Sequence, residues 1–229
     1  MFTKQTMMAA ALLAAAAFVP TAYADDWRDE EDGVLYLTSV DSLADEYFIV
    51  QRINDEDDPD DDPDWKIEIT YYRISATDYE VDIADYDAED IHRIDFEGDN
   101  NTDGFYNYTE LPSVAYGHGA SDYLIGGDGP DDLYGGLGDD VLDGEGGDDD
   151  LYGERGRDIL LGGPDDDFLN PGSDQQEGFL DGEGGYDIGV MYYSQSRGFS
   201  RVYQQFDGFE CESVQQRWTI FFSLTYFYW

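Results

Sequence analysis

Aspartate recurs at a fixed interval through the second half of this chain. Asp122, Asp131, Asp140, Asp149, Asp158 and Asp167 are each nine residues apart, and Asp187 takes the same place in a later copy of the pattern. Every one of them closes a glycine-rich stretch, as in GGDGPD (residues 126–131) or GEGGDD (144–149). Glycine lets backbone approach an ion closely. Carboxylates repeated beside such glycines are suited to holding cations rather than to making and breaking bonds. The composition points the same way. With 54 acidic and 11 basic side chains the net charge is −43, so a compact chain repels itself and cations are its natural counter-species. Nucleic acid is excluded as a partner, because phosphate binding needs clustered Lys and Arg.

The elements that must position these aspartates follow from the period. Residues 117–190 hold eight copies of G-G-x-G-x-D-x-U-x, with U a large aliphatic residue, and a short fixed period is the mark of a solenoid. The eighth position is Leu124, Leu133, Leu142, Leu151, Leu160, Leu169 and Leu180 in seven of them. A six-residue turn followed by a three-residue strand fits the unit, with leucine pointing inward and aspartate facing the turn. The pattern departs from itself in three places. The seventh unit is expanded to PGSDQQEGFLD (171–181) and has Gly178 near the aspartate position, Gly189 replaces the last leucine, and Asp165 takes a glycine position. The units before the expansion are therefore expected to form the sounder sites.

These residues resemble the RTX, or hemolysin-type, calcium-binding repeat family. The resemblance covers about a third of the chain. It implies an all-β fold, a right-handed parallel β-roll or β-solenoid in which two units make one coil and Ca²⁺ ions sit between turns stacked on the same side. Carried over, Asp122, Asp131, Asp140, Asp149, Asp158, Asp167 and Asp187 become metal ligands, and carbonyls of the glycine-rich turns complete the shells. Several Ca²⁺ ions are then the expected cofactors and partners, since a hard ion takes six to eight oxygens.

The remaining segments frame this roll. Residues 1–24 have one basic residue, a short apolar run and an A-x-A ending, the pattern of a secretory signal peptide. It implies a secreted, extracellular protein, with the periplasm as the alternative. Residues 25–116 alternate like a β-rich N-terminal cap region, with strands expected at 34–38, 47–50, 65–72, 79–83 and 91–97 around an acidic loop, 55–64. Within 94–124 the chain also resembles the lead-in of secreted RTX proteins, which suggests that coils already stack there. The stretch 99–110 (DNNTDGFYNYTE) satisfies the spacing of an EF-hand loop. Its strand-like flanks and Pro112 argue instead for an acidic β-turn. Residues 191–229 end in uncharged WTIFFSLTYFYW (218–229), read as a C-terminal aromatic cap or as an anchor strand contacting a cell surface or outer membrane. The lone Cys211 excludes an intramolecular disulfide.

No catalytic signature is present in this sequence. His92 and His118 stand apart, and there is no H-E-x-x-H, G-x-S-x-G or P-loop. The reading is a calcium-binding, non-enzymatic protein with a structural or surface role. An adhesin or assembly module using the aromatic tail is the first alternative. A hydrolase or toxin fragment with an unrecognised active site is the second.

Overall fold

The computed structural model describes residues 28–31, 33–39, 43–55, 64–77, 79–172, 178–195 and 198–207. The signal-like segment, most of the acidic loop, Cys211 and the aromatic tail lie outside the described residues. Among the described residues the structure is all β, with 17 strands.

The N-terminal part supplies β1 (Arg28–Glu31), β2 (Val34–Thr38), β3 (Asp45–Asp55), β4 (Asp64–Ile74) and β5 (Tyr79–Asp87). Winding then becomes regular: β6 (Arg93–Glu97), β7 (Asp103–Tyr108), β8 (Ser113–Gly119), β9 (Tyr123–Gly127), β10 (Asp132–Leu137), β11 (Val141–Glu145) and β12 (Asp150–Arg155). The roll finishes with β13 (Ile159–Pro164), β14 (Phe168–Asn170), β15 (Phe179–Gly184), β16 (Tyr186–Gln195) and β17 (Gly198–Asp207). From β6 to β16 successive strands go alternately to two facing sheets. One has the order β1-β2-β6-β8-β10-β12-β14-β16-β17, the other β15-β13-β11-β9-β7-β3-β4-β5. Pairing between coils is parallel from β2 to β16, with antiparallel strands only at the ends: β1, the β4–β5 meander and β17. The architecture is a parallel β-roll.

Register follows from the two-unit coil. Asp132 pairs with Val114 and Asp150, and Val141 with Tyr123 and Ile159, each 18 residues away. The expanded unit lengthens the next step to 20, pairing Ile159 with Phe179. Its two extra residues leave the strands aligned, because a turn absorbs length that a strand cannot take without flipping its side chains to the other face.

The core is two ladders of eighth-position side chains. In the second sheet Phe48, Phe105, Leu124, Leu142, Leu160 and Leu180 stack in register, all at most 4% exposed. In the first sheet Leu37, Phe96, Ala115, Leu133, Leu151 and Leu169 do the same. Gly189 ends that ladder opposite Leu169, while Val190 beside it is buried. The side chains are larger at the N-terminal end. There Phe48 meets Tyr71 and Phe96 at ring-centre distances of 5.0 and 5.3 Å, and Phe96 stacks on Phe105 at 5.2 Å. Residues 34–97 thus close the roll with an aromatic plug, and the strands expected there coincide with β2 to β6.

Candidate metal centre

The turns between strands stack into two rows, one along each edge of the roll. Asp122, Asp140 and Asp158 fall in the first row, and Asp131, Asp149, Asp167 and Asp187 in the second. Each is at most 3% exposed. Their Oδ1 atoms bind the rows together. The Asp122 amide donates to Asp140 (2.9 Å) and the Asp140 amide to Asp158 (3.1 Å). In the other row the amides of Asp131, Asp149 and Asp167 donate to Asp149 (2.8 Å), Asp167 (3.0 Å) and Asp187 (3.1 Å). The sequence-derived residues are therefore not gathered into one site but spaced, one coil apart, along two lines.

The second carboxylate oxygen is used differently. Oδ2 of Asp122, Asp131, Asp140, Asp149, Asp167 and Asp187 is buried and has no hydrogen-bond partner. It lies over the first glycine of its own unit. A Cβ on Gly144 would stand 2.1 Å from Asp149 Oδ2 and 2.6 Å from the Gly162 carbonyl of the next coil. On Gly117 it would stand 2.5 Å from Asp122 Oδ2 and 2.6 Å from the Gly135 carbonyl. The first position is thus glycine because oxygens converge where a Cβ would go. Left-handed backbone belongs instead to the second and fourth positions, where Glu145 (φ 71°), Glu154 (69°) and Asp165 (81°) adopt it despite their side chains.

A buried anionic oxygen without a partner is untenable. Burial raises the carboxyl pKa of Asp122, Asp131, Asp140, Asp149, Asp167 and Asp187, and adjacent rungs add to it in several cases. Asp149 is pushed up to about 9 by burial and by Asp131 and Asp167; Asp122 rises to about 8 by burial and by Asp140. Asp167 rises to about 8, and Asp131 and Asp140 to about 7, burial again being the main cause. Each rung needs a proton or a cation. Carboxylate and carbonyl oxygens with no nitrogen or sulfur donor are the set a hard divalent ion takes, so the residues fit Ca²⁺. Among the described residues no three His, Cys, Asp or Glu side chains gather around one point, so backbone oxygens must make up most of any shell.

Reading the sequence for an aliphatic eighth position missed one rung. In 98–106 Gly98, Asp103 and Phe105 hold the first, sixth and eighth positions, with phenylalanine in place of leucine. Asp103 is fully buried, and its amide donates to Asp122 Oδ1 (2.8 Å). Its own carboxylate is already satisfied: Ser39 Oγ donates to Oδ1 (2.9 Å) and the Asp99 amide to Oδ2 (2.7 Å). The first row therefore ends here in hydrogen bonds. The second row ends at Ser113, whose amide donates to Asp131 Oδ1 (2.6 Å), with Ile94 as the next residue up. At the other end Gly178 stands one coil beyond Asp158 and supplies no carboxylate.

The EF-hand spacing in 99–110 does not close into a loop around an ion. Asp99 turns back on its own segment, accepting from the Asn101 amide (2.6 Å), while β7 carries the chain away and Glu110 pairs with Arg52. His118 occupies a left-handed turn position and contacts Glu97; His92 is exposed beside Gly33.

A family model described as the RTX calcium-binding nonapeptide repeat matches residues 116–151 and 143–175, in four copies. No curated protein and no solved structure matches the chain.

Proposed function

Because the roll is built from RTX calcium-binding nonapeptide repeats, we propose that this is an exported, non-enzymatic calcium-binding protein whose repeat region becomes rigid only when Ca²⁺ fills the two rows of turns. The observation that carries this reading is the set of buried Oδ2 atoms of Asp122, Asp131, Asp140, Asp149, Asp167 and Asp187, each facing a glycine cradle and none hydrogen-bonded. Those aspartates and Asp158 are the proposed carboxylate ligands, and first-position glycine carbonyls such as those of Gly135 and Gly162 are their proposed partners across the coil. Bound Ca²⁺ would supply the positive charge that lets these carboxylates stay ionised inside the turns. The protein's part is to fix each carboxylate by its Oδ1 hydrogen bond, keep Cβ atoms out of the cradle and exclude water.

Export is supported by the signal-like residues 1–24 and by the ligand chemistry. Extracellular calcium modules bind at about 10⁻⁴–10⁻³ M, so cytosolic calcium would leave such sites empty and folding would wait for the calcium-rich side of the membrane. A structural or surface role is supported by the shape, a roll of stacked coils with two extended sheets. Circular dichroism during calcium titration of the metal-stripped chain tests the proposal. A cooperative gain of β signal at sub-millimolar to millimolar Ca²⁺, reversed by EDTA and not reproduced by Mg²⁺, is the expected result. A spectrum indifferent to chelation would refute it.

A further inference from the structure

The two sheets have four edges between them, and three finish alike. β1 closes one end of the first sheet against β2, β17 closes the other against β16, and β5 ends the second sheet against β4, all antiparallel. The fourth edge is β15. It runs parallel to β13 and has no strand on its other side among the described residues. The Phe179 amide donates to the Asp158 carbonyl of the coil before. Main-chain groups alternate between the two sides of a strand, so those of Leu180 and Gly182 face the bare edge. Such an edge is a template for a further strand. The core is unfinished at the same place, because Gly189 ends the first sheet's ladder opposite Leu169 and brings no side chain to the last rung. The first sheet also outreaches the second here: β16 and β17 have ten residues each, against six in β15.

We propose that residues 218–229 of this same chain, which lie outside the described residues, fill that edge as an antiparallel strand on β15. Position, reach, pattern and charge argue for this occupant. β17 ends at Asp207 opposite Tyr186, the first residue of β16, and Tyr186 follows the end of β15 by two residues. The chain therefore leaves the first sheet on the side of the roll where β15 stops. Facing sheets lie about 10 Å apart, and the ten residues 208–217 can span up to ~33 Å. A strand that starts there and follows β15 runs against it, as at the other three ends. The segment also has a strand's alternation. Its even positions from Trp218 to Tyr228 are all large aliphatic or aromatic residues, while Thr219, Ser223 and Thr225 fall among the odd ones. One face of it suits the unfinished core. The twelve residues carry no charge, so they approach β15, with its Asp181 and Glu183, without adding to the repulsion of a chain at −43. Arg217, the cation just before the segment, then falls at the Gly184 end of β15 beside exposed Glu183.

The proposal rests on the roll being folded, and so on the calcium reading. Residue-resolved amide exchange of the full, calcium-loaded chain tests it, with calcium stoichiometry measured on the same samples. In dilute wild-type protein without lipid the Leu180 and Gly182 amides should be protected. Phe222→Pro/Ser223→Pro removes two adjacent donors, one of which faces β15 in any register, and should speed their exchange about tenfold or more. Deleting 218–229 should do the same. The Leu142 amide, which faces β13, should stay protected in every variant. Arg217→Glu should speed exchange at Gly182 about threefold, the scale of an exposed ion pair, and Arg217→Glu/Glu183→Arg should restore it. Unprotected Leu180 and Gly182 amides in the wild type overturn the proposal. So does protection that survives the proline pair, or that appears only with lipid vesicles or only where the chain self-associates, outcomes that give the segment to a membrane or to a second copy. Should the deletion and the proline pair lose the fold, the charge swap decides, and exchange indifferent to it overturns the proposal. A protected Leu142 amide and unchanged stoichiometry would leave the calcium reading intact whichever way β15 behaves. Loss of calcium binding in the wild type would remove both.

Discussion

The two glycines at 144 and 146 lie in the same turn and should respond oppositely to the same substitution. In Gly144→Ala the new methyl would sit 2.1 Å from Asp149 Oδ2, 2.8 Å from its Cγ and 2.6 Å from the Gly162 carbonyl. To reach an ordinary contact of ~3.2 Å, Oδ2 must retreat by about 1 Å. Calcium–oxygen distances span only about 2.3–2.6 Å, so that retreat takes the oxygen out of range and should remove one ion site. The crowding itself should destabilise the calcium-loaded roll by about 1–3 kcal/mol. In Gly146→Ala the nearest atoms to the new methyl are 3.8 Å away, and the backbone there is not left-handed. That change should leave the ion count alone and raise stability by up to about 1 kcal/mol through the unfolded chain's lost freedom. Isothermal titration calorimetry gives the ion count, and thermal unfolding in fixed calcium gives the stability. If Gly144→Ala titrated with the wild-type stoichiometry and midpoint, the cradle formed by Asp149 and Gly162 would not be where the ion sits, and the assignment of the whole row would fall with it.

Three further outcomes are expected. Asp140→Asn should weaken calcium binding about tenfold or more, and Asp187→Asn by much less, since Asp140 is bonded on both sides (Asp122 and Asp158) and Asp187 ends its row; equal losses by calorimetry would contradict the ranking. For the metal-stripped chain, carboxyls that titrate near 3.8 when unfolded titrate at about 7 to 9 in the roll. The folded state then binds more protons, so its stability falls as pH rises through that window, by up to ~1.4 kcal/mol per unit for each carboxylate. Stripped protein should accordingly show more β signal by circular dichroism at pH 5.5 than at pH 8, and an unchanged or reversed trend would count against buried, ion-starved carboxylates. Finally, hydrogen exchange in EDTA should find the amides of β2 to β7 protected and those of β9 to β14 exchanging; uniform exchange would mean that the aromatic plug does not stand without calcium.

The repeat region was legible because its physics is periodic. One leucine and one aspartate per nine residues fix which face is inside and where the turn carboxylate goes, and both ladders appear where the spacing put them. Two things were hidden. The rung at Asp103 uses Phe105 where the pattern asks for an aliphatic residue, and an EF-hand spacing overlaps it; the signal that would have found it is Gly98 five residues before and Phe105 two after. The division of labour among glycines was also unreadable, since the first and second positions of a unit carry the same letter. Only geometry shows that one makes room for oxygens and the other permits a left-handed turn that Glu145 and Glu154 also accept. The N-terminal strands were legible as strands but not as partners. Val34 pairs with Arg93 and Tyr47 with Gly104 across an intervening meander and acidic loop, and no local pattern encodes a register over that separation.

The limits of the two carboxylate rows suggest how calcium dependence is confined. At the N-terminal end each row ends in hydrogen bonds: Asp103 accepts from Ser39 and the Asp99 amide, although burial still pushes its carboxyl up to about 7, and the second row gives way to Ser113 and then to buried Ile94. Above those points the core changes from one leucine per rung to Phe48, Phe96, Phe105 and Tyr71 in mutual contact. These buried rings add area and ring–ring contacts to the apolar packing at that end. On the proposed function the same chain would combine a segment held by apolar packing with one held by ions. The first offers the second a ready edge in the form of β8 and β9, so the costly first coil need not nucleate anew. On that function, calcium at each successive rung would offset carboxylate burial, and winding would proceed away from the plug toward the C-terminus.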